Sequence, residues 1–152
     1  MIIRRAKLSD WSAIMHIEHS CFSNVKHDFA FALGLPFNHN LVAIKDGKIV
    51  SYHTYEWLVG KKCHLISLGT LKEYRHQGIG GKLMEESIKI AKKKKAKEIY
   101  FEVRKHNTGA IRLYQKLGYR VIKTKPKYYK APVDDCLIMA YMPEKNNDLD
   151  DS

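Results

Sequence analysis

The sequence predicts a single α+β domain, and three observations carry that expectation. Residues 41–45 and 48–55 are two β-rich runs joined by Asp46-Gly47, a strong hairpin signal. Residues 64–71 form an extended apolar run that feeds a glycine turn, then a helix, then the strand 98–104. Strand, helix and strand in that order imply a parallel pair joined by a right-handed crossover. A chain of 152 residues has room for one substantial core and no more.

In chain order, residues 1–7 alternate weakly and read as a short first strand. Ser9-Asp10 offers an N-cap to a helix over residues 11–22, where Trp11, Ile14, Met15, Ile17 and Cys21 recur near helical spacing. Residues 23–40 are irregular, with a short helix expected around 28–33. The helix after the glycine turn runs to about residue 95 and gathers Ile79, Leu83, Ile90 and Ala91 on one side. In the strand 98–104, Ile99, Phe101 and Val103 share one face, and Tyr100, Glu102 and Arg104 share the other. Asn107 caps the next helix, whose stripe is Ala110, Leu113, Tyr114 and Leu117, and Gly118 stops it. Strands at 119–124 and 136–142 follow, separated by a basic, aromatic loop at 125–130. From Pro143 the chain turns polar and acidic, so the domain is expected over 1–142 and a frayed tail over 143–152.

Composition bounds the function. Hydrophobic residues make up 45% of the chain and charged residues 28%, as in ordinary globular proteins. No apolar run approaches a membrane span, and the start Met1-Ile2-Ile3-Arg4-Arg5 lacks a signal-peptide pattern, so the cytoplasm is the expected location. Three widely spaced cysteines suggest neither a disulfide framework nor a zinc site, and the eight histidines do not cluster with other ligands, so no metal is expected. A net charge of +11 calls for an anionic partner: nucleic acid, a polyphosphate cofactor or an acidic peptide. Much of the surplus is Lys92 to Lys95 and Lys97, where lysines complement a helix C-terminus and stay solvated.

The glycine turn carries the first chemistry. Gly78, Gly80 and Gly81 let backbone N–H groups approach oxygen anions, the following helix start adds partial positive charge, and Arg75 and Lys82 add formal charge. It is not a P-loop, because Gly81-Lys82 is followed by Leu83 rather than a hydroxyl residue. A dinucleotide-binding turn would sit early in a series of strand–helix repeats, and only one such unit is evident.

Arg75-His76-Gln77-Gly78-Ile79-Gly80 fits the Arg/Gln-x-x-Gly-x-Gly/Ala turn of the GNAT acyltransferases at every defined position. Together with the strand HLISLGTL, the segment EVRKHNTGAIRLYQKLGY and the pair Tyr128-Tyr129 before the last strand, it resembles the GNAT N-acetyltransferases. Within them the chain is most similar to the protein N-terminal acetyltransferases, of the ribosomal-protein and the arrest-defective types. The resemblance spans residues 41–142.

The resemblance implies a GNAT fold, with a central, mostly antiparallel sheet, one splayed parallel strand pair and flanking helices. It implies acetyl-coenzyme A as cofactor, lying where the strands 64–71 and 99–104 splay apart. Leu68, Gly69 and Thr70 would pair with the pantetheine arm and face the thioester. Arg75, His76, Gln77, Gly78, Ile79, Gly80, Gly81 and Lys82 would cradle the pyrophosphate, and Asn107 and Tyr114 would contact the cofactor arm. Acyl transfer to an amine needs a neutral amine, a polarised carbonyl and a protonated leaving thiolate. Tyr114 is the candidate general acid. Glu102 is the first candidate for the base and His64 the second, acting together through an ordered water, with a pair that only stabilises the sheet as the alternative.

Tyr128 and Tyr129 would embrace the first residues of the acceptor, and Phe22 and Asn24 would line its path. The chain lacks the glutamate that arrest-defective-type enzymes carry after the first helix, and residues 130–135 lack the usual glycine turn. Both departures bear on substrate identity. Expected partners are a protein N-terminus or peptide, with the ribosome or an auxiliary subunit as further candidates, no membrane, and nucleic acid not the main ligand. A monomer or weak homodimer is expected. The rivals are acetylation of a small amine or lysine side chain, a nucleic-acid-binding domain, and a coenzyme-A sensor. A polyamine pocket should be acidic, whereas the substrate loop carries Lys125, Lys127 and Lys130.

Overall fold

The computed structural model describes residues 1–22 and 38–143, so the helix expected around 28–33, Asn24 and the tail beyond Pro143 lie outside the described residues. Seven strands form one mixed sheet: β1 Ile2–Arg5, β2 Asn38–Lys45, β3 Lys48–Leu58, β4 Lys62–Thr70, β5 Glu98–Arg104, β6 Arg120–Lys130 and β7 Val133–Tyr141. Their order is β1-β2-β3-β4-β5-β7-β6. The helices are α1 Trp11–Cys21, α2 Ile79–Lys93 and α3 Thr108–Lys116, with 3-10 turns at Leu8–Asp10 and Lys72–Tyr74. β4 and β5 are parallel, in register from Lys62↔Glu98 to His64↔Tyr100. The β1–β2, β2–β3, β5–β7 and β6–β7 pairs are antiparallel. The chain divides into two compact units, Met1–Trp57 with Leu65–Lys89, and Leu58–His64 with the described residues from Ile90 onward.

In the first unit α1 buries Ile14 and Ile17 against Val42 and Tyr52. The hairpin between β2 and β3 turns at Asp46 and Gly47, both with positive φ (53° and 75°), as a two-residue turn matched to strand twist requires. Asp10 precedes α1 as expected, but its carboxylate does not bond the helix. It accepts from the Lys7 backbone N–H (2.7 Å) and from Arg4 (2.7 and 3.1 Å), because a 3-10 turn has already closed the chain there. A polar thread crosses this core. Ser67 Oγ donates to Glu18 Oε2 at 3.0 Å, so the Tyr52 hydroxyl, 2.7 Å away, donates to Ser67. His53 on β3 is fully buried with no partner for either ring nitrogen among the described residues, and burial pushes its pKa down to about 3.

In the second unit β5 follows the expected alternation, with Ile99, Phe101 and Val103 buried. Phe101, Tyr114, Tyr119 and Tyr141 form a tilted aromatic cluster with ring centroids 4.4–6.2 Å apart. Asn107 caps α3 by accepting from Ala110 N–H (3.4 Å), and Gly118 (φ 101°) ends it. The Tyr119 N–H reaches the Tyr114 carbonyl (3.0 Å) and the Gly118 N–H the Gln115 carbonyl (3.0 Å), the bond pair of a Schellman end.

Three expectations need correction. The α2 helix stops at Lys93 rather than near residue 95, because Lys95 enters the left-handed region (φ 60°) and Ala96 N–H bonds back to Ala91. The stripe on α3 is only partly covered, with Leu113 38% exposed. Residues 125–130 are not a loop: they belong to β6, where Tyr129↔Asp134 and Lys130↔Val133 pair beyond a bulge between Lys125 and Tyr129. The bulge holds Pro126, which has no N–H to give a ladder. Lys127 (φ 50°) gives its N–H to the Asp135 carboxylate instead (2.9 Å).

Candidate active site

The candidate residues occupy both units, and each set is described in its own unit. In the first, β4 runs through Leu68, Gly69 and Thr70 into the turn before α2. Gly69 is fixed by packing: a Cβ there would stand 2.7 Å from Tyr52 Cε1. Its carbonyl accepts from Ser51 Oγ (2.8 Å), so the Thr70 hydroxyl, 2.8 Å from the same oxygen, donates to Ser51. The turn has positive φ at His76 (61°) and Gly78 (78°), and only the glycine adopts that region without cost. The Gly78 carbonyl accepts from Lys82 N–H (3.1 Å). The amides of Ile79, Gly80 and Gly81 therefore open α2 with no earlier carbonyl of the helix to bond. Gly80 stands against β4, where a Cβ would be 3.8 Å from Leu68 and 3.9 Å from Thr70.

Two side chains of the turn are engaged with the protein itself. Arg75 Nε donates to the Thr70 carbonyl (3.0 Å) and its Nη2 lies 3.4 Å from Cys21 Sγ. Gln77 accepts from Lys45 Nζ (2.7 Å) and donates to the Glu73 carbonyl (3.3 Å). Tyr74 OH donates to Asp46 (3.2 Å), and Lys48 lies over the Tyr74 ring (5.1 Å), so the glycine turn and the β2–β3 hairpin turn share several contacts.

In the second unit His64 and Glu102 meet. His64 Nε2 lies 2.7 Å from Glu102 Oε2, with both side chains roughly a quarter exposed (21% and 28%). Tyr100 stacks on the imidazole, centroids 4.8 Å apart and planes within 16°. The hydrogen bond from His64 is the main reason the Glu102 carboxyl titrates below its ordinary range, against the opposing effect of burial, and the charge of Lys125 assists. Tyr114 packs edge-on to Phe101 (4.4 Å), and burial raises its phenol pKa above the usual value. The Tyr119 hydroxyl is buried without a partner among the described residues.

Tyr128 and Tyr129 sit edge to face (5.1 Å) on β6. Lys125 lies over the first ring (5.4 Å) and Arg104 over the second (4.2 Å). Arg104 also donates to the Pro132 and Ala131 carbonyls (2.9 and 3.3 Å), tying β5 to the hairpin tip. Burial is the main cause raising the Tyr129 pKa, with Cys136 and Glu102 nearby adding to it. Phe22 ends α1 and is 43% exposed.

Comparison with known proteins decides the family. The profile of the acetyltransferase (GNAT) family matches residues 10–119, well over half of the chain. The chain belongs to that family. This GNAT protein is an acyltransferase, and acetyl-coenzyme A is its acetyl donor. It is 34% identical to an N-alpha-acetyltransferase of Sulfurisphaera tokodaii, over 91% of this chain and 90% of the relative. An N-alpha-acetyltransferase of Saccharolobus solfataricus is also 34% identical, with the same coverage. Among solved structures, the ribosomal-protein-S18-alanine N-acetyltransferase of Escherichia coli superposes with a TM-score of 0.84 at 27% identity, covering 93% of this chain and 92% of that one. The mixed sheet with its parallel β4–β5 pair is the GNAT fold the sequence implied.

The residues present fit the cofactor. The turn offers successive amides at the start of a 15-residue helix, the arrangement that receives phosphate oxygens. Three partners of the candidate groups escaped the sequence reading: Tyr100 on His64, Arg104 on Tyr129 and Lys125 on Tyr128. The alternation of β5 was the available signal for two of them, since Tyr100, Glu102 and Arg104 share one face. No helix among the described residues is long and apolar enough to cross a membrane.

Proposed function

We propose that this GNAT enzyme acetylates the free α-amino group of protein N-termini, by direct attack in a ternary complex. The observation that carries the reading is the His64–Glu102 pair at 2.7 Å, supported by the names of relatives that match along nine-tenths of the chain. Acetyl-coenzyme A supplies the acetyl group as a thioester, with a thiolate as leaving group. Leu68, Gly69 and Thr70 bind its arm, the amides of residues 77–82 with Arg75 and His76 hold its phosphates, and Asn107 adds a polar contact.

An α-ammonium titrates near 8, so most acceptor molecules arrive protonated and must lose a proton before attack. A carboxylate held below its ordinary range is a poor acceptor for that proton, so His64 takes the base role and Glu102 the orienting one. With Nε2–H donating to Glu102, Nδ1 is the basic nitrogen, and the carboxylate stabilises the imidazolium that forms. Tyr100 holds the ring in plane. Tyr114 keeps its proton throughout the neutral range and can deliver it to the departing sulfur. Tyr128 and Tyr129 hold the acceptor's first residues.

The test is thiol release from acetyl-coenzyme A against short peptides differing in residue one, alongside spermidine and a lysine peptide with a blocked N-terminus. Turnover confined to free α-amines is expected. Turnover only with spermidine or the blocked peptide would overturn the reading.

A further inference from the structure

Among the described residues the β6 strand is an edge of the sheet and pairs only with β7. Most of it is exposed, and it carries Arg120, Lys123, Lys125, Lys127 and Lys130. Edge strands often carry lysine to discourage pairing with other chains, but two features set this row apart. First, its lysines form no close ion pair. Among the described residues no carboxylate lies within ion-pair distance of Lys123, Lys125, Lys127 or Lys130, although the acidic residues of the hairpin are close. Asp134 is taken by His106 (2.7 Å) and by the Asp135 N–H (2.8 Å), and Asp135 by the Lys127 backbone and Lys105 (2.9 and 3.8 Å). Second, the row is tied to the candidate acceptor site. Lys125 lies over the Tyr128 ring and its charge reaches Glu102, while the bulge that displaces Lys127 also presents Tyr128.

We propose that the β6 edge reads acidic side chains a few residues behind the acceptor's amino terminus, with Lys125 and Lys127 as the first contacts and Lys123 and Lys130 flanking them. The proposal rests on the N-terminal reading above and names the class of peptide it favours. An extended peptide advances about 3.4 Å per residue, so carboxylates two to four residues behind the amine lie roughly 7–14 Å from it. That is the reach of a row that starts beside Glu102. A nucleic acid is the poorer fit: a continuous polyanion laid along this edge would pass the part-exposed carboxylate of Asp135, which meets β6 at its bulge. A peptide with one or two carboxylates need not.

The experiment compares peptides with identical first two residues and either Asp/Glu or Asn/Gln at positions three to five. Two exposed ion pairs predict a kcat/KM ratio of about 2- to 30-fold in favour of the acidic peptide at low salt. The ratio should shrink in high salt. In Lys125→Gln/Lys127→Gln the ratio should fall toward one. In Lys125→Glu/Lys127→Glu it should invert toward peptides with Lys at those positions, an outcome that damaged folding cannot produce. A wild-type ratio near one, with both peptides turned over, would overturn this inference and leave N-terminal acetylation standing. No turnover of any peptide while spermidine is acetylated would remove both. Single-stranded RNA that abolishes the preference, and whose binding is lost in the same double variants, would reassign the row to nucleic acid.

Discussion

Replacing Gly69 by alanine tests the packing beneath β4 with one methyl group. The new Cβ would lie 2.7 Å from Tyr52 Cε1, 3.2 Å from Ile17 Cγ2 and 3.3 Å from Cys21 Sγ. Carbon atoms pack best at about 3.5–4.0 Å, so the ring must retreat by roughly 1 Å. Tyr52 is poorly placed to do so: it is 1% exposed, and its hydroxyl is held by Ser67, which is itself bonded to Glu18. Overpacking of this kind costs about 1–3 kcal/mol. For a chain of this size that lowers Tm by about 2–12 °C. Gly69 does not occupy the left-handed region, so in an open site the same substitution would stabilise by about 0.4–1 kcal/mol through the unfolded chain. The sign alone therefore decides. Urea and thermal unfolding followed by far-UV circular dichroism would measure it. The double variant Gly69→Ala/Tyr52→Leu should lose less stability than the two single changes summed. A Gly69→Ala protein as stable as wild type would refute the account.

Other expected outcomes bear on chemistry and acid stability. Glu102→Gln should lower kcat about 100-fold and move the acid limb of the pH–rate profile, because the carboxylate no longer stabilises the protonated imidazole; a lower rate with an unmoved limb would make Glu102 structural. Tyr114→Phe should reduce kcat by about 10- to 100-fold while leaving the KM for acetyl-coenzyme A within a few-fold, and equal losses in kcat and affinity would assign the hydroxyl to binding. His53 stays neutral when folded down to about pH 3, whereas an unfolded histidine binds a proton below about 6.5. The unfolded state thus holds more protons between those values, and stability falls as pH falls, by up to about 1.4 kcal/mol per unit. His53→Leu should flatten that slope in urea titrations at pH 7, 6 and 5, and an unchanged slope would place the acid sensitivity elsewhere.

Local patterns made much of the fold legible. The alternation of Ile99, Phe101 and Val103 gave β5 its bounds, Asp46-Gly47 gave the hairpin, and Asn107 with Gly118 bracketed α3. Each of these signals lies within a few residues of what it specifies. The end of β6 was not legible for the opposite reason. Lys-Pro-Lys-Tyr-Tyr-Lys reads as a loop until Asp135, on the facing strand, takes the Lys127 N–H that Pro126 has displaced from the ladder. The same holds at the candidate site. Two strands supplied His64 and Glu102 as a pair, but which of them is the better base depends on how their hydrogen bond shifts the carboxylate. Glu18 was not singled out from the sequence: four residues after Ile14 it lies on the buried face of α1, is 2% exposed and receives the Ser67 hydroxyl.

The contacts joining the glycine turn to the β2–β3 hairpin have a consequence for amide exchange. Lys45 holds Gln77, Asp46 holds Tyr74, and Lys48 covers the Tyr74 ring, all at or near the surface. Opening of either turn therefore strains the other, and both should exchange their amide hydrogens at related rates. A phosphate group seated on the amides before α2 would slow exchange at Asp46 and Gly47 as well, some thirty residues away in sequence. The hairpin tip becomes a reporter of cofactor occupancy that touches no candidate catalytic group.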